Sequence, residues 1–280
     1  MIYMQTGWER ARRTHFDEIA ENYDKARWNY PDGLYDDIFN YIGSDADKNA
    51  VEVGAGTGKA TLPFLNAGYT VTAVELGANM SDFLRDRFKR FTGSGRFSVI
   101  NAAFEDAALE EGRYDLIYAA SAFHWVDAET GCPKAFRLLK PGGVFALFRC
   151  NGAPDINDPC YAEIQLAYEK YYYTQYPSTY RPARKTHEEF KTSSELQRGY
   201  GFGDMRKYGF ADIIINHYDA SLTYSADAYA ALLDTYSDHR LLKEKEALYG
   251  AVKEAIARHG GRYRADYTFQ LYIGRRPAEC

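Results

Sequence analysis

The stretch that decides the fold of this 280-residue chain is Ala50-Val51-Glu52-Val53-Gly54-Ala55-Gly56-Thr57-Gly58. It predicts a short buried strand with an acidic residue near its end, followed by a loop with glycine at every second position. Glycine is needed in such a loop because some positions take positive φ and because a Cβ would block a ligand lying against the backbone. The segment from Lys59 to Gly68 predicts a helix that ends at a glycine. Strand, loop and helix together predict a site for a nucleotide-like ligand at the helix N-terminus.

The spacing of the glycines excludes two common phosphate-binding loops. A dinucleotide fingerprint G-x-G-x-x-G that begins at Gly54 requires glycine at position 59, where the chain has Lys59. A phosphate loop G-x-x-x-x-G-K-[ST] that includes Lys59 requires glycine at position 53 and Ser or Thr at position 60. The chain has Val53 and Ala60 at those positions. The pattern that remains is E-x-G-x-G-x-G, beginning at Glu52.

Composition and charge indicate an ordinary globular protein. A hydrophobic content of 46% with 26% charged residues supports a sizeable core, either one large α/β domain or a core with a modest cap. A formal net charge of -5 argues against a large nucleic-acid surface, which requires clustered Lys and Arg. No apolar run approaches the ~18 residues needed to span a bilayer, and residues 1–13 lack the apolar run of a signal peptide. We therefore expect a cytoplasmic monomer or homodimer with no membrane and no nucleic-acid partner.

Cysteine spacing predicts free thiols and no metal site. The chain contains no C-x-x-C pair, and no cysteine has a histidine at metal-ligand spacing. Free thiols in a reducing compartment are the expected state of all four. These cysteines are Cys132, Cys150, Cys160 and Cys280.

Strand and helix patterns alternate along most of the chain, which predicts a doubly wound, seven-stranded, mainly parallel sheet. The predicted strands are 50–53, 69–75, 97–100, 114–120, 144–149, 212–218 and 267–276, and a turn at 140–143 precedes the fifth. The predicted helices are 34–42, 59–68, 80–91, 132–139, 226–235 and 239–258. Regularity is lost over 151–204, a Tyr-rich stretch with a predicted helix at 161–170. We expect an N-terminal helical cap over the ligand site (1–45), a core (46–150 and 205–280) and a helical, Tyr-rich lid inserted after the fifth strand (151–204).

Polar residues follow the predicted second and fourth strands, at the sheet edge where open α/β sheets bind ligands. Glu75 ends the second strand roughly 20 residues beyond the glycine loop, where a carboxylate can accept hydrogen bonds from both ribose hydroxyls. The alternative is a surface acid at a strand end. Ser121-Ala122-Phe123-His124-Trp125-Val126-Asp127 follows the fourth strand. In that run His124 is either structural or part of a ligand cavity, and Asp127 also fits the N-cap of the next helix.

Three motifs resemble known methyltransferases. The E-x-G-x-G-x-G pattern resembles the first motif of class I S-adenosylmethionine-dependent methyltransferases. Phe123-His124-Trp125, with the downstream run 137–143, resembles the small-molecule methyltransferases related to trans-aconitate methyltransferase. The segment 16–31 is similar to that family's F-x-x-x-A-x-x-Y-D-x-x-R-P-x-Y-P pattern, with Trp28 in place of the first proline. The resemblance covers residues 14–150 well and implies a Rossmann-like methyltransferase fold with S-adenosylmethionine as cofactor.

The resemblance also implies roles for individual residues. The acidic residue and the loop backbone hold the amino-acid end of the cofactor. The segment 102–106 holds adenine, with Ala103 where the family often has an acid and Asp106 alternatively as a helix N-cap. The expected cofactor-binding residues are Tyr23, Arg27, Glu52, Gly54, Ala55, Gly56, Glu75, Leu76, Ala103, Phe104, Glu105, Ser121 and Phe123. The expected substrate-binding residues are Tyr30, His124, Trp125, Tyr172 and Tyr176.

The implied reaction is an in-line methyl transfer to an O, N or C nucleophile of a small molecule. A carboxylate acceptor needs no base, whereas a phenol or alcohol would give its proton to His124, the candidate catalytic residue, or to a lid tyrosine. The basic residues at 181, 184 and 185 either pair with an acidic acceptor or belong to a solvated loop. Two alternatives remain: a nicotinamide-dependent oxidoreductase, disfavoured by Lys59, and a non-catalytic protein that retains the cofactor fold.

Overall fold

A computed structural model describes residues 24–43, 48–177 and 202–278, with the side chains of 202–204 left out. Tyr23, Cys280 and the basic residues at 181–185 therefore lie outside the described residues. The strands are β1 Asn49–Val53, β2 Thr70–Glu75, β3 Phe97–Asn101, β4 Tyr114–Ala120, β5 Leu139–Gly152, β6 Ala211–Ser225 and β7 Arg262–Arg275.

The helices lie between these strands as a doubly wound sheet requires. They are α1 Asp32–Ile42, α2 Thr61–Asn66, α3 Ala78–Arg87, α4 Lys89–Gly93, α5 Ala128–Leu138, α6 Pro159–Ala167, α7 Ala226–Leu233, α8 Ser237–Arg240 and α9 Lys245–Arg258. Short 3₁₀ turns cover Phe123–Trp125 and Phe202–Tyr208, and a π turn covers Tyr168–Tyr172. No helix in the described ranges is long and apolar enough to cross a membrane.

The strands form one sheet in the order β3-β2-β1-β4-β5-β7-β6. Neighbours from β3 to β5 pair in parallel, whereas β7 is antiparallel to both β5 and β6. The predicted seven-stranded, mainly parallel sheet is thus confirmed. From β1 to β3, each new strand is added on one side of the sheet. The chain then returns to the other side of β1, where β4 and β5 are added in the opposite direction. The crevice between the ends of β1 and β4 is therefore the topological switch point at which such sheets bind ligands.

Two hydrophobic cores cover the two faces of the sheet. Successive residues of β4 alternate between them, with Leu116 and Tyr118 in the first core and Ile117 and Ala119 in the second. The first core is closed by α1, α2, α3, α6 and α9, and the second by α5 and by residues near Phe210. Because both faces are buried, the central strands are mainly apolar on both sides, which is why they could be predicted from sequence.

Several predicted boundaries are wrong, mainly near the last strands. Both β6 and β7 are longer than predicted. They pair along their length, from Ala211 opposite Arg275 to Ser225 opposite Arg262. The predicted turn at 140–143 lies within β5 as an irregularity: Tyr114 pairs with Leu139 and Leu116 with Val144, so four residues of β5 lie opposite one residue of β4. The predicted helix 80–91 is divided between α3 and α4. The predicted helix 239–258 is likewise divided between α8 and α9. The described cysteines, at 132, 150 and 160, are free thiols.

Candidate functional site

A pocket of about 1090 Å³, measured with its open mouth, lies at the switch point of the sheet. The glycine loop after β1, the end of β2 and the loop after β4 form three of its sides. Residues 27–30, before α1, contribute to the fourth. Twelve of the residues proposed from sequence line it: Arg27, Tyr30, Glu52, Gly54, Ala55, Gly56, Glu75, Leu76, Ala103, Phe104, Ser121 and Trp125.

The glycine loop requires glycine at Gly54 for two reasons. Its φ is +66°, in the left-handed region that side chains disfavour, and a Cβ built there would lie 2.6 Å from the Cβ of Ala122 in the loop after β4. Its N–H donates to the carbonyl of Val74 at 2.8 Å. Gly54 thus lets the loops after β1 and β4 approach each other while the backbone stays bonded to β2.

Glu75 is held in place by the backbone around it. Its Oε2 accepts the N–H of Gly56 at 2.8 Å, and its Oε1 accepts the N–H of Gly77 at 2.9 Å. The side chain of Asn101 donates to the carbonyls of Glu75 and Leu76, both at 2.9 Å, which secures the end of β2. The carboxylate therefore connects the glycine loop to the end of the second strand.

Glu52 is buried at the base of the pocket, with 1% of its surface exposed. Its Oε2 accepts the hydroxyls of Thr61 at 2.5 Å and Tyr118 at 2.9 Å. Burial raises the pKa of Glu52 to about 8, although these two hydrogen bonds act in the opposite direction. The carboxyl group is therefore mostly protonated at neutral pH.

Residues before α1 form an aromatic and cationic wall of the pocket. The hydroxyl of Tyr30 donates to the Oγ of Ser121 at 2.9 Å and connects this segment to the loop after β4. Arg27 donates to the carbonyl of Thr235 at 3.1 Å, and its guanidinium lies 4.3 Å from the ring centroid of Tyr236. The fold thus brings Arg27, the expected cofactor-binding residue, and Tyr30, the expected substrate-binding residue, to the pocket.

The segment after β3 supplies an apolar wall from Ala102 to Phe104. The N–H of Asp106 donates to the carbonyl of Ala103 at 3.0 Å in a turn, and no helix follows for Asp106 to cap. Glu105 lies outside the pocket lining, and its Oε1 accepts the N–H of Asp127 at 3.5 Å. Asp127 caps α5, accepting the N–H of Glu129 at 3.1 Å.

Of the Phe123-His124-Trp125 run, the last residue lines the pocket and the first two do not. Phe123 is 2% exposed and packs in the second core, with its ring 5.2 Å from that of Phe145. Its expected contact with the cofactor stays a prediction. The pKa of His124 is lowered to about 3, first by burial and then by the positive charges of Arg149 and Arg27. A neutral imidazole of such low pKa is a weak proton acceptor.

Tyr172 and Tyr176 also lie outside the pocket lining, and their expected contact with substrate stays a prediction. The hydroxyl of Tyr172 donates to the carboxylate of Asp238, and that of Tyr176 donates to the Asp238 carbonyl at 3.0 Å. Next to them, the hydroxyl of Tyr168 lies 2.8 Å from Nε2 of His239. These tyrosines fasten the start of the insertion to α8.

Sequence reasoning missed several pocket residues. In the sequence, Trp28 is a departure from a family pattern and Lys59 excludes phosphate loops, and neither feature indicates that the residue lines the pocket. The others are small or apolar residues at strand ends and helix starts, which carry no chemical signal of their own: Val53, Thr57, Ala60, Val74, Met80, Ala102, Ala120, Ala122 and Val126. No group of three His, Cys, Asp or Glu suited to a metal ion occurs among the described residues.

Comparisons with known proteins agree with this geometry. A family model described as a methyltransferase domain matches residues 51–147. A protein of Mycobacterium bovis named as an uncharacterised methyltransferase is 30% identical over 132 residues, which are 47% of this chain and 50% of that protein. The chain thus spans about half the length of the curated relatives it matches first.

Longer matches extend over most of the chain. A protein of Schizosaccharomyces pombe, also named as an uncharacterised methyltransferase, is 26% identical over 251 residues and 87% of each chain. The solved structure of a candidate type II methyltransferase from Anaeromyxobacter dehalogenans has a TM-score of 0.62 and 20% identity. It covers 90% of this chain and 99% of that chain. At that identity the similarity shows a shared fold.

Proposed function

Because this chain carries a methyltransferase domain with the class I fold, we propose that it transfers a methyl group from S-adenosylmethionine to a small molecule. The observation that carries the proposal is the carboxylate of Glu75, fixed by the N–H groups of Gly56 and Gly77 at the edge of the pocket. A carboxylate at the end of the second strand is suited to accept both ribose hydroxyls of an adenosyl cofactor.

The pocket residues fit the proposed cofactor from end to end. A Cβ built at Gly56 would meet no protein atom within 4 Å, so the loop leaves room for a ligand against its backbone. Leu76, Ala103 and Phe104 provide an apolar wall for adenine. Lys59 follows Gly58 as the lysine of a phosphate loop would, but its Nζ donates to Oδ1 of Asn29 at 3.3 Å. This favours a cofactor without phosphates over a nicotinamide dinucleotide.

The chain's own contribution to the reaction is orientation and exclusion of water. S-adenosylmethionine supplies a methyl group activated by its bond to a sulfonium sulfur. Trp28, Tyr30 and Trp125 line the pocket and offer aromatic rings to a positively charged group. Holding a nucleophile in line with the methyl group can lower the barrier by several kcal/mol, up to ~7–11 in ideal cases. Since His124 is a weak base, we infer that the acceptor arrives deprotonated or as a neutral nucleophile.

The proposal keeps the expected division of the chain. Residues 1–45 would cover the cofactor, which is supported by Arg27, Trp28 and Tyr30 at the pocket wall. Residues 151–204 would cover the acceptor, since they begin at the end of β5, at the ligand-binding edge of the sheet. We also propose a cytoplasmic enzyme that acts as a monomer or homodimer and has no nucleic-acid partner.

Two measurements test the proposed function. Thermal shifts with S-adenosylmethionine, S-adenosylhomocysteine and NAD should show stabilisation by the first two only. Stabilisation by NAD alone would refute the assignment of S-adenosylmethionine as the cofactor. Release of S-adenosylhomocysteine across a panel of small-molecule acceptors, with the product identified by mass, then separates an enzyme from a non-catalytic binder.

Cofactor binding should also release a proton from Glu52. Its raised pKa keeps the carboxyl group protonated near neutral pH, and the ammonium group of the cofactor, which the resemblance brings to Glu52, favours the ionised form. We expect close to one proton released per S-adenosylhomocysteine bound near pH 7, falling towards zero above pH 9. Calorimetric titrations in buffers of different ionisation enthalpy measure this number.

Glu52→Gln should abolish the proton release, whereas Glu110→Gln, at an exposed position, should leave it unchanged.

In the absence of ligand, the raised pKa of Glu52 also predicts how the stability of the protein depends on pH. The folded state holds the proton more tightly than the unfolded chain, whose ordinary pKa is 4.5. The contribution of Glu52 to the free energy of unfolding is therefore full below pH 4.5 and is lost as the pH rises to about 8. Equal pH dependence in wild type and Glu52→Gln would contradict the assignment.

A further inference from the structure

Residues 24–30, which we call the strap, precede α1 and form part of the pocket wall. Arg27, Trp28 and Tyr30 of the strap line the pocket, together with the glycine loop. The strap is held by contacts of two kinds, apolar ones to the sheet and charged ones to the glycine loop and α3. A ligand in the pocket lies against the strap, so the way the strap is held affects how that ligand enters and leaves.

The apolar contacts hold the second half of the strap. The ring of Trp28 lies 5.0 Å from that of Tyr267 in β7, and the ring of Tyr30 lies 4.9 Å from that of Phe148 in β5. Both strap rings pack against the first core. Salt screens interactions between charges and has little effect on such contacts. This half of the strap is therefore anchored to the sheet independently of ionic strength.

The charged contacts hold the start of the strap. Nη1 of Arg87, in α3, donates to Oδ1 of Asp24 at 2.6 Å. Nζ of Lys59 lies 3.8 Å from the same Oδ1 and donates to Oδ1 of Asn29 at 3.3 Å. Burial acts to raise the pKa of Asp24, but the hydrogen bond from Arg87 and the charge of Lys59 lower it further than burial raises it. Asp24 is thus an ionised carboxylate held by two cations.

The cluster of Asp24, Lys59 and Arg87, which we call the latch, is partly exposed to water. The side chain of Asp24 is 25% exposed, that of Lys59 15% and that of Arg87 29%. Ion pairs that solvent reaches are weak, and salt weakens them further. Because Lys59 also lines the pocket, the latch closes the wall where the strap meets the glycine loop. The latch is therefore the side on which the strap opens more easily.

We propose that the latch controls exchange of the adenosyl cofactor: the strap opens at Asp24 and stays attached to the sheet through its aromatic rings. The proposal rests on the proposed function, since it concerns entry to the same site. Neither Asp24 nor Arg87 lines the pocket, so they act as positioning residues through the strap. Their ion pair should stabilise the closed strap equally with and without ligand. Breaking it should therefore speed entry and exit alike and leave the affinity nearly unchanged.

The test measures association and dissociation rates of S-adenosylhomocysteine with the whole protein by stopped-flow fluorescence. Trp28 and Trp125 line the pocket and provide the signal. Asp24→Asn keeps the shape of the side chain and removes its charge. We expect both rates to rise about fivefold, with the dissociation constant within about twofold of wild type. A rise in the dissociation rate alone, or no change in either rate, would overturn the proposal.

Variants of α3 assign the effect to the ion pair. Arg87→Gln breaks the latch from the helix side, away from the pocket, and should also accelerate both rates. The double variant of Asp24→Asn with Arg87→Gln should be no faster than Asp24→Asn alone, because both changes remove the same contact. Arg85→Gln removes a positive charge from the same helix, where Nη1 of Arg85 donates to Asp82 at 2.7 Å, and should change neither rate. Additive acceleration in the double variant would contradict the latch.

Ionic strength provides an independent measurement. S-adenosylhomocysteine is a zwitterion without net charge, so salt has little direct effect on its encounter with the protein. Raising the salt concentration from about 50 mM to about 500 mM should accelerate both rates in wild type and should change them much less in Asp24→Asn. An equal response of the two proteins would mean that exchange does not depend on the latch.

Failure of the proposed function gives a different result. If wild-type protein does not bind S-adenosylhomocysteine, the cofactor assignment is wrong. If wild type binds it and Asp24→Asn exchanges it at the wild-type rates, only the role of the latch is wrong.

Discussion

Glu75→Ala is expected to weaken the binding of S-adenosylhomocysteine by about a hundredfold, equivalent to about 2.8 kcal/mol. The substitution removes the proposed acceptor for both ribose hydroxyls. It also leaves the N–H groups of Gly56 and Gly77 without the carboxylate that now orients them. An unsatisfied N–H in a partly buried loop costs about 1–3 kcal/mol, so the loop itself should lose its order. Calorimetric titration of the purified variant measures the loss.

The matched control is Asn101→Ala. Asn101 secures the same strand end by donating to the carbonyls of Glu75 and Leu76, but it does not contact the carboxylate. We expect this variant to lose some stability and to keep its affinity within a few fold. If Glu75→Ala bound S-adenosylhomocysteine as tightly as wild type, or if Asn101→Ala lost as much affinity, the ribose assignment would be wrong.

The parallel half of the sheet could be predicted because its signals are local. Residues 116–120 form an apolar run after Tyr114 and Asp115, and β4 has the predicted boundaries, 114–120. The backbone conformation of the glycine loop is also a local feature, since the φ of +66° at Gly54 disfavours a side chain whatever surrounds it. Both features follow from neighbouring residues in the chain, with little contribution from distant ones.

The antiparallel edge was predicted less well because its boundaries depend on pairing between distant segments. Residues at both ends of β6 alternate between half-buried and exposed, which is a weak signal for strand length. The extent of β7 is set by its partners on each side, β5 and β6. The irregularity at 140–143 contains Pro141 and two glycines, which in sequence indicate a turn, but the surrounding register keeps the segment within β5.

The same distinction explains which site residues were predicted. Backbone positions in the glycine loop and acidic strand ends line the pocket as expected. Aromatic residues carry a weaker signal: Phe123 packs in a core and Tyr172 contacts α8, because an aromatic ring serves a core or a pocket equally well. The hydrogen bond between Arg149 and Gln270 gave no signal, since these residues are 121 positions apart in sequence and meet only through the pairing of β5 with β7.

The structure changes the expectation for the reaction more than for the fold. A histidine in the loop after β4 was the candidate general base. Burial and two arginines hold the pKa of His124 at about 3, so a proton removed from the acceptor would not remain on it. The environment of His124 thus argues against its role as a general base.

Gly54→Ala is expected to destabilise the protein by about 2–5 kcal/mol, as the sum of two costs. A left-handed backbone conformation costs a residue with a Cβ roughly 1–2 kcal/mol. The new methyl group would also lie 2.6 Å from the Cβ of Ala122, and relieving such an overlap in a packed region costs about 1–3 kcal/mol. Ala122 is a short side chain with no rotamer to change, so the loops after β1 and β4 must separate.

Gly56→Ala separates the two costs. Gly56 has a φ of +56°, but a Cβ there meets no protein atom within 4 Å, so only the backbone cost of roughly 1–2 kcal/mol applies. Urea unfolding of both variants without ligand should therefore show the larger loss for Gly54→Ala, by about 1–3 kcal/mol. Since the overlap is with Ala122, Ala122→Gly combined with Gly54→Ala should recover part of the difference. Equal losses in the two single variants would mean that the loops after β1 and β4 do not depend on this contact.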